Sequence, residues 1–192
     1  MTKRTQFIIN HAIPNFIKNI YLMIKYRCLI HPSARILFIK NIKIGKATII
    51  GKCDIIAQNK GIHIGKNCLI NDYVILNSKA NYIKIGDDTT INSFTKVIGN
   101  GGVTIGKGCS IASGTIITNN HIIPKKKNVR YDKLTKKRTK IGNYVWICAN
   151  VVIIDGVNIG NNCVIGANSF VNKSFEEGIV LAGTPAKEIR KR

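Results

Sequence analysis

The chain has 192 residues, 45% of them apolar, which is enough for one domain with a substantial core and argues against wholesale disorder. Its 30 Lys and Arg against 9 Asp and Glu give a formal charge of +21, a balance that favours an anionic ligand, an anionic surface or nucleic acid without choosing among them. No stretch approaches the roughly 18 consecutive apolar residues of a membrane-spanning helix, and six Cys with no C-x-x-C pair and no small-residue cleavage site point to a reduced cytoplasmic setting.

Residues 1–43 are expected to form a helical flank. Within them residues 6–30 are apolar and basic, with Phe7, Ile8, Ile9, Ile13, Phe16, Ile17, Ile20, Tyr21, Met23 and Ile24 compatible with an amphipathic helix interrupted at Pro14. Such a helix either packs against the rest of the domain or rests weakly on an anionic inner-membrane surface. Residues 1–53 hold no acidic side chain, which suits a solvated basic face as well as a negatively charged surface.

From residue 44 a period organises the chain. Ile-Gly recurs at Ile44, Ile64, Ile85, Ile105, Ile141 and Ile159, at spacings of 20, 21, 20, 36 and 18. An aliphatic follows each six residues on, at Ile50, Ile70, Ile91, Ile111, Ile147 and Ile165, and again at Ile56, Leu76, Val97, Ile117, Ile153 and Val171. Small or branched residues follow many of these four positions on: Thr48, Cys68, Val74, Thr89, Thr95, Cys109, Thr115, Val145, Val151, Val157, Cys163 and Ser169. A helix would need spacings of 3 and 4, and hairpins would need turns between alternating strands, whereas Asn100-Gly101 and Asp155-Gly156 fall within the six-residue register.

A six-residue step is a short strand plus a sharp corner, so three steps close a triangular coil and stacked coils share one apolar column. The expected fold is an all-β solenoid, a parallel β-helix of about six coils over residues 44–173, with Gly giving the corners backbone freedom. Cys68, Cys109 and Cys163 read as small buried packers. His11 and His31 precede the repeats and His63 falls in a joint between coils, where structural roles fit better than chemistry.

The single long spacing, 36, places a protruding loop of roughly 17 extra residues, about 119–140, on the fourth of these coils. It opens at Asn119-Asn120-His121 and continues into a basic run, Lys125 to Lys140, with nine Lys or Arg around Asp132. At the far end residues 174–192 form a cap segment in which Pro185 can open a short terminal helix over the last coil.

The run of an aliphatic, often Gly, then a small residue resembles the hexapeptide-repeat acyltransferases over residues 44–192. Ile141-Gly-Asn-Tyr-Val-Trp-Ile-Cys-Ala-Asn-Val-Val-Ile, Gly156-Val-Asn-Ile-Gly and Ala182-Gly-Thr-Pro-Ala-Lys resemble the maltose and galactoside O-acetyltransferase branch. That resemblance implies a left-handed coil sense, against the general right-handed crossover rule. It also implies acetyl-CoA as acyl donor, no metal, and a homotrimer with active sites between subunits. A zinc enzyme of this fold would need several imidazoles, and no second His accompanies His121.

Residue by residue, the resemblance makes His121 the general base, for which a near-neutral imidazole is suited. It sets Asn92 as a polar active-site residue, Trp146 beside the acceptor, and Ala149 with its N–H facing the thioester carbonyl. Ala167, Lys173, Lys187 and Arg190 match cofactor-binding positions. Counted from coil starts, Asn92 is position 8 and His121 position 17, on different faces of the prism, so two subunits would have to supply them.

Three departures from the family pattern bear on the acceptor: Cys148 stands where Gly is usual, His121 is followed by Ile-Ile-Pro rather than directly by Pro, and the loop after His121 is unusually basic. The expected reaction is direct acetyl transfer to a sugar hydroxyl in capsule, O-antigen or other surface-polysaccharide biosynthesis. The alternatives are acetylation of a hydroxyl-bearing antibiotic of the streptogramin kind, or a non-catalytic basic scaffold. Nucleic acid is not an expected partner.

Overall fold

A computed structural model describes residues 12–118 and 136–192. Among the described residues one α-helix, α1 (Asn15–Tyr26), starts immediately after Pro14 and leads into a stack of short parallel strands on three faces. The first face carries β1 (Leu29–Ile30), β4 (Ile49–Ile50), β7 (Leu69–Ile70), β10 (Thr90–Ile91), β13 (Ser110–Ile111), β16 (Trp146–Ile147), β19 (Val164–Ile165) and β21 (Ile179–Gly183). The second carries β2 (Arg35–Leu37), β5 (Asp54–Ile56), β8 (Ile75–Asn77), β11 (Lys96–Ile98), β14 (Ile116–Thr118), β17 (Val152–Ile153) and β20 (Phe170–Val171). The third carries β3 (Ile42–Ile44), β6 (Ile62–Ile64), β9 (Ile83–Ile85), β12 (Val103–Ile105), β15 (Thr139–Ile141) and β18 (Asn158–Ile159).

The result is a parallel β-solenoid of about seven turns, consistent with left-handed coiling. Register is strict: Ile30, Ile50, Ile70, Ile91, Ile111, Ile147, Ile165 and Leu181 stack on the first face, each 5% exposed or less. Full burial of such a side chain contributes about 1.5–3 kcal/mol, and a continuous column gives every coil that term.

The small residues of the repeat are all buried, and two types share one job. Thr48 and Thr89 donate Oγ1–H to the carbonyls of Gly65 (2.7 Å) and Gly106 (2.9 Å) in the next coil. In the same column Cys68, Cys109 and Cys163 donate Sγ–H to Gly86 (3.2 Å), Gly142 (3.1 Å) and Glu176 (3.0 Å). Burial pushes the Cys68 and Cys109 thiols up, and Cys53, buried beside Asp54 and Asp72, up to about 12. Such thiols pack rather than react.

The coils correct the sequence reading in several places. The solenoid starts at Leu29 rather than residue 44, because Ile30, Ile36 and Ile42 already keep the six-residue step although no Ile-Gly marks that coil. The interrupted coil is therefore the fifth, and its described chain resumes before β15, so residues 139 and 140 belong to a strand. Ile55 rather than Ile56 faces inward, because the corner after β4 is one residue shorter than its neighbours. His63 lies in the middle of β6, not in a joint.

The terminal helix is replaced by a strand. β22 (Ala186–Lys191) folds back antiparallel on β21, because the last parallel strand leaves an open edge that the alternating Ala186-Lys-Glu-Ile-Arg-Lys segment can pair.

The glycines of Ile-Gly serve a steric role rather than conformational freedom. A Cβ on Gly86 would sit 2.6 Å from the carbonyl carbon of Gly106 and the nitrogen of Lys107, and Gly142 meets Gly160 and Asn161 in the same way. The left-handed corners nearby are held by Asn67, Asp88, Gly108, Tyr144 and Asn162, with φ between 51° and 63°.

Candidate active site

Two corners of the prism are built alike and finished differently. At the corner leading from the third face to the first, a turn N–H is capped by an Asx side chain of the following coil. Lys66 N–H donates to Asp87 Oδ1 (2.8 Å), Lys107 N–H to Asn143 Oδ1 (3.0 Å) and Asn143 N–H to Asn161 Oδ1 (2.8 Å). Between the first and second faces the pattern begins in the same way, with Lys52 N–H on Asp72 Oδ1 (2.7 Å).

It then stops, because the following coils carry Ser93, Ser113, Ala149 and Ala167 at that place. These side chains are too short or too apolar to reach back. The coils remain tied through the next turn residue, with Asn150 N–H on the Ser113 carbonyl (3.0 Å) and Asn168 N–H on the Ala149 carbonyl (3.0 Å). The N–H groups of Ser113, Ala149 and Ala167 themselves have no acceptor among the described residues. The corner therefore presents a row of backbone donors about 4.8 Å apart, the spacing of adjacent strands.

Unsatisfied N–H groups in a row are suited to a long ligand with spaced carbonyls, and one of them can stabilise a developing oxyanion. The sequence reading singled out Ala149 and Ala167 only through resemblance. The readable signal was the contrast between Asx at one corner and Ser or Ala at the other, and it went unused for Ser113.

Asn92 directly follows β10 and stands at the same corner, two coils before Ala149. Its Oδ1 accepts from Asn71 Nδ2 (2.8 Å) and its Nδ2 donates to the Ile111 carbonyl (3.0 Å). One amide hydrogen and one lone pair remain for another partner. Beside it the rings of Tyr73 and Phe94 stack, 5.2 Å apart and 8° from parallel, over a groove of about 340 Å³ lined also by Lys52 and Asp54.

Trp146 projects from the first face, 52% exposed, with Ser110 and Val164 as its neighbours in register. Lys187 pairs with Ala182 near the N–H row, and Arg190 pairs with Val180 further along the same edge. Lys173 stands apart, beyond the end of β20 on the corner between the second and third faces, with Nζ 5.4 Å from the Phe175 ring centre. His121 and Lys125 to Lys133 lie outside the described residues. Thr118, the last residue described before them, ends β14 at the opposite edge of the second face from Asn92.

The outer side of the third face is basic. His63 sits in register between Lys43 and Lys84, and burial first, then the two ammonium groups, lower its pKa from 6.5. Both effects favour the neutral imidazole within this cationic ladder.

Comparisons with known proteins fit this geometry. Residues 138–173 match the family described as bacterial transferase hexapeptide (six repeats). The chain is similar to a chloramphenicol acetyltransferase of Agrobacterium fabrum, 39% identical over 70 residues, which is 36% of this chain and 34% of that protein. It is also similar to the galactoside O-acetyltransferase of Escherichia coli, 54% identical over 50 residues, 26% and 25% of the two chains. The matched stretches thus span about a third or less of these curated relatives.

Among solved structures, the polySia-specific acetyltransferase NeuO superposes with a TM-score of 0.65 at 29% identity over 78% of this chain and 66% of its own. A variant of AntD, an N-acyltransferase from Bacillus cereus in complex with dTDP and coenzyme A, gives 0.62 at 27% over 80% and 82%. Residues 138–173 carry the hexapeptide repeat of the bacterial transferases, and the same six-residue coil runs in register from Leu29.

Proposed function

We propose that the chain is an acetyl-CoA-dependent O-acetyltransferase acting on a sugar hydroxyl of a capsule, O-antigen or other surface polysaccharide, as a homotrimer with sites between subunits. The observation that carries this reading is the row of open N–H groups at Ser113, Ala149 and Ala167. Pantetheine has amide carbonyls to accept from such a row, Lys187 stands at its end for phosphate, and Trp146 faces outward beside Ala149. Arg190, on the same edge, and Lys173, from a neighbouring prism, complete the set of cofactor-binding residues.

His121 takes the proton from the acceptor hydroxyl, whose oxygen attacks the thioester carbonyl. The ester forms, the C–S bond breaks, and His121 returns the proton to the departing thiolate. Ala149 N–H steadies the oxyanion, a contribution of about 10²–10³ in rate. Asn92, across the second face from Thr118, orients the acceptor from the neighbouring subunit.

A second reading, acetylation of an antibiotic hydroxyl, is favoured by the similarity to a chloramphenicol acetyltransferase. Acetyl-CoA consumption measured across nucleotide sugars, oligosaccharides and antibiotics separates the two. His121→Ala is expected to lose nearly all turnover, and Asn92→Ala and His121→Ala chains assembled into one trimer to recover part of it. Turnover near wild type in His121→Ala overturns the mechanism, and absence of acetyl-CoA binding overturns the enzyme reading altogether.

A further inference from the structure

The helix α1 is amphipathic the wrong way round for a helix in water. The side chains it buries are Lys18, Asn19 and Leu22. Those it exposes are Phe16 (52%), Ile17 (48%), Ile20 (47%), Tyr21 (51%) and Ile24 (76%). Spaced i, i+1, i+4, i+5 and i+8, these five form one stripe opposite the buried face.

The buried face is occupied by structural work. Asn19 Nδ2 donates to the carbonyls of His31 (3.1 Å), Pro32 (3.1 Å) and Ala34 (2.9 Å), and Leu22 continues the apolar core. The helix thus closes the open end of the first coil, and its far side is directed away from the coils.

Charge narrows what can cover it. Between residues 12 and 53 the exposed charged side chains are seven Lys or Arg and no Asp or Glu, so a second copy docking end to end would bring two like-charged surfaces together. An anionic surface is complementary instead. Twelve residues make about 18 Å of helix, too short to cross the roughly 30 Å hydrocarbon layer. The stripe is suited to lying in the interface, with Lys25 at its margin over the Tyr21 ring.

We infer that α1 docks this protein onto an anionic lipid bilayer, with Phe16, Ile17, Ile20, Tyr21 and Ile24 inserted among the acyl chains and the neighbouring basic side chains held by lipid phosphates. This goes beyond the acyl-transfer reading and does not depend on it.

The test is co-sedimentation of the purified full chain with phosphatidylcholine vesicles, with and without about one third phosphatidylglycerol. Binding is expected to the anionic vesicles, to weaken in high salt, and to fall by about tenfold or more in the double variant Ile20→Gln, Ile24→Gln. Both positions are exposed, so thermal stability and acetyl-CoA affinity are expected to hold. Equal binding to both vesicle types, or undiminished binding by the variant, overturns the inference. A drop in the oligomeric mass of the variant without lipid assigns the stripe to a second copy instead, and also overturns it.

Discussion

Replacing Ala149 by Pro removes one N–H donor from the proposed site and sets the ring Cδ in its place. Ala149 is the first central residue of a corner turn whose second, Asn150, has φ of 58°, and Pro is favoured at that first place in such a turn. Its N–H has no acceptor among the described residues, while the Asn150 and Asn168 bonds that tie the coils do not use it. The fold therefore loses no hydrogen bond, and stability is expected to stay within about 1 kcal/mol, a shift of roughly 2–4 °C in Tm for a chain of this size.

Catalysis is expected to respond differently. One oxyanion donor is worth about 2.7–4 kcal/mol in the transition state, so kcat should fall about 10²–10³-fold. Ala167→Pro removes a donor one coil further on, where a ground-state hydrogen bond of about 0.5–1.5 kcal/mol predicts a 2- to 13-fold rise in KM for acetyl-CoA with kcat nearly kept. Thiol release, read colorimetrically at saturating acceptor, measures both. The reasoning is refuted if Ala149→Pro keeps kcat within about threefold with Tm unchanged, or if Ala167→Pro damages kcat as much.

Two further expectations concern the scaffold. Gly86→Ala would set a Cβ 2.6 Å from backbone atoms of the next coil, whereas at Gly178, with φ of 69°, nothing lies within 4 Å. Urea midpoints should therefore show a loss of about 3 kcal/mol for Gly86→Ala and about 1 kcal/mol for Gly178→Ala, and the reverse order would contradict a steric role for Ile-Gly. His63, whose pKa is lowered by burial and by Lys43 and Lys84, favours its neutral form in the folded state. Its contribution is complete above the ordinary imidazole value and is lost as pH falls below it, so His63→Gln should flatten the decline of stability just under that value. The Arg35–Asp54 pair, which holds the Asp54 carboxyl below its usual range, governs a separate loss at more acid pH.

The period of six was legible because inward alternation acts residue by residue. Ile50, Ile70 and Ile91 announce a buried column wherever the coils come to lie, and Thr48 and Cys68 announce the small positions between them. The first coil escaped notice because it lacks Ile-Gly, although Ile30, Ile36 and Ile42 keep the step. The outward apolar stripe of α1 was visible as a list of apolar residues, but its inversion was not, since the sequence does not say which side meets the coil.

The residues by themselves determined the triangular coil and most of its core, because these follow from side-chain size at a fixed spacing. Tertiary structure alone decided the rest. Whether a turn N–H at Ala149 is satisfied depends on what the next coil sets opposite it. Whether residues 186–191 form a helix or a strand depends on the open edge of β21 beside them. Both are decided by partners distant in space, where a lost or gained hydrogen bond outweighs local propensity.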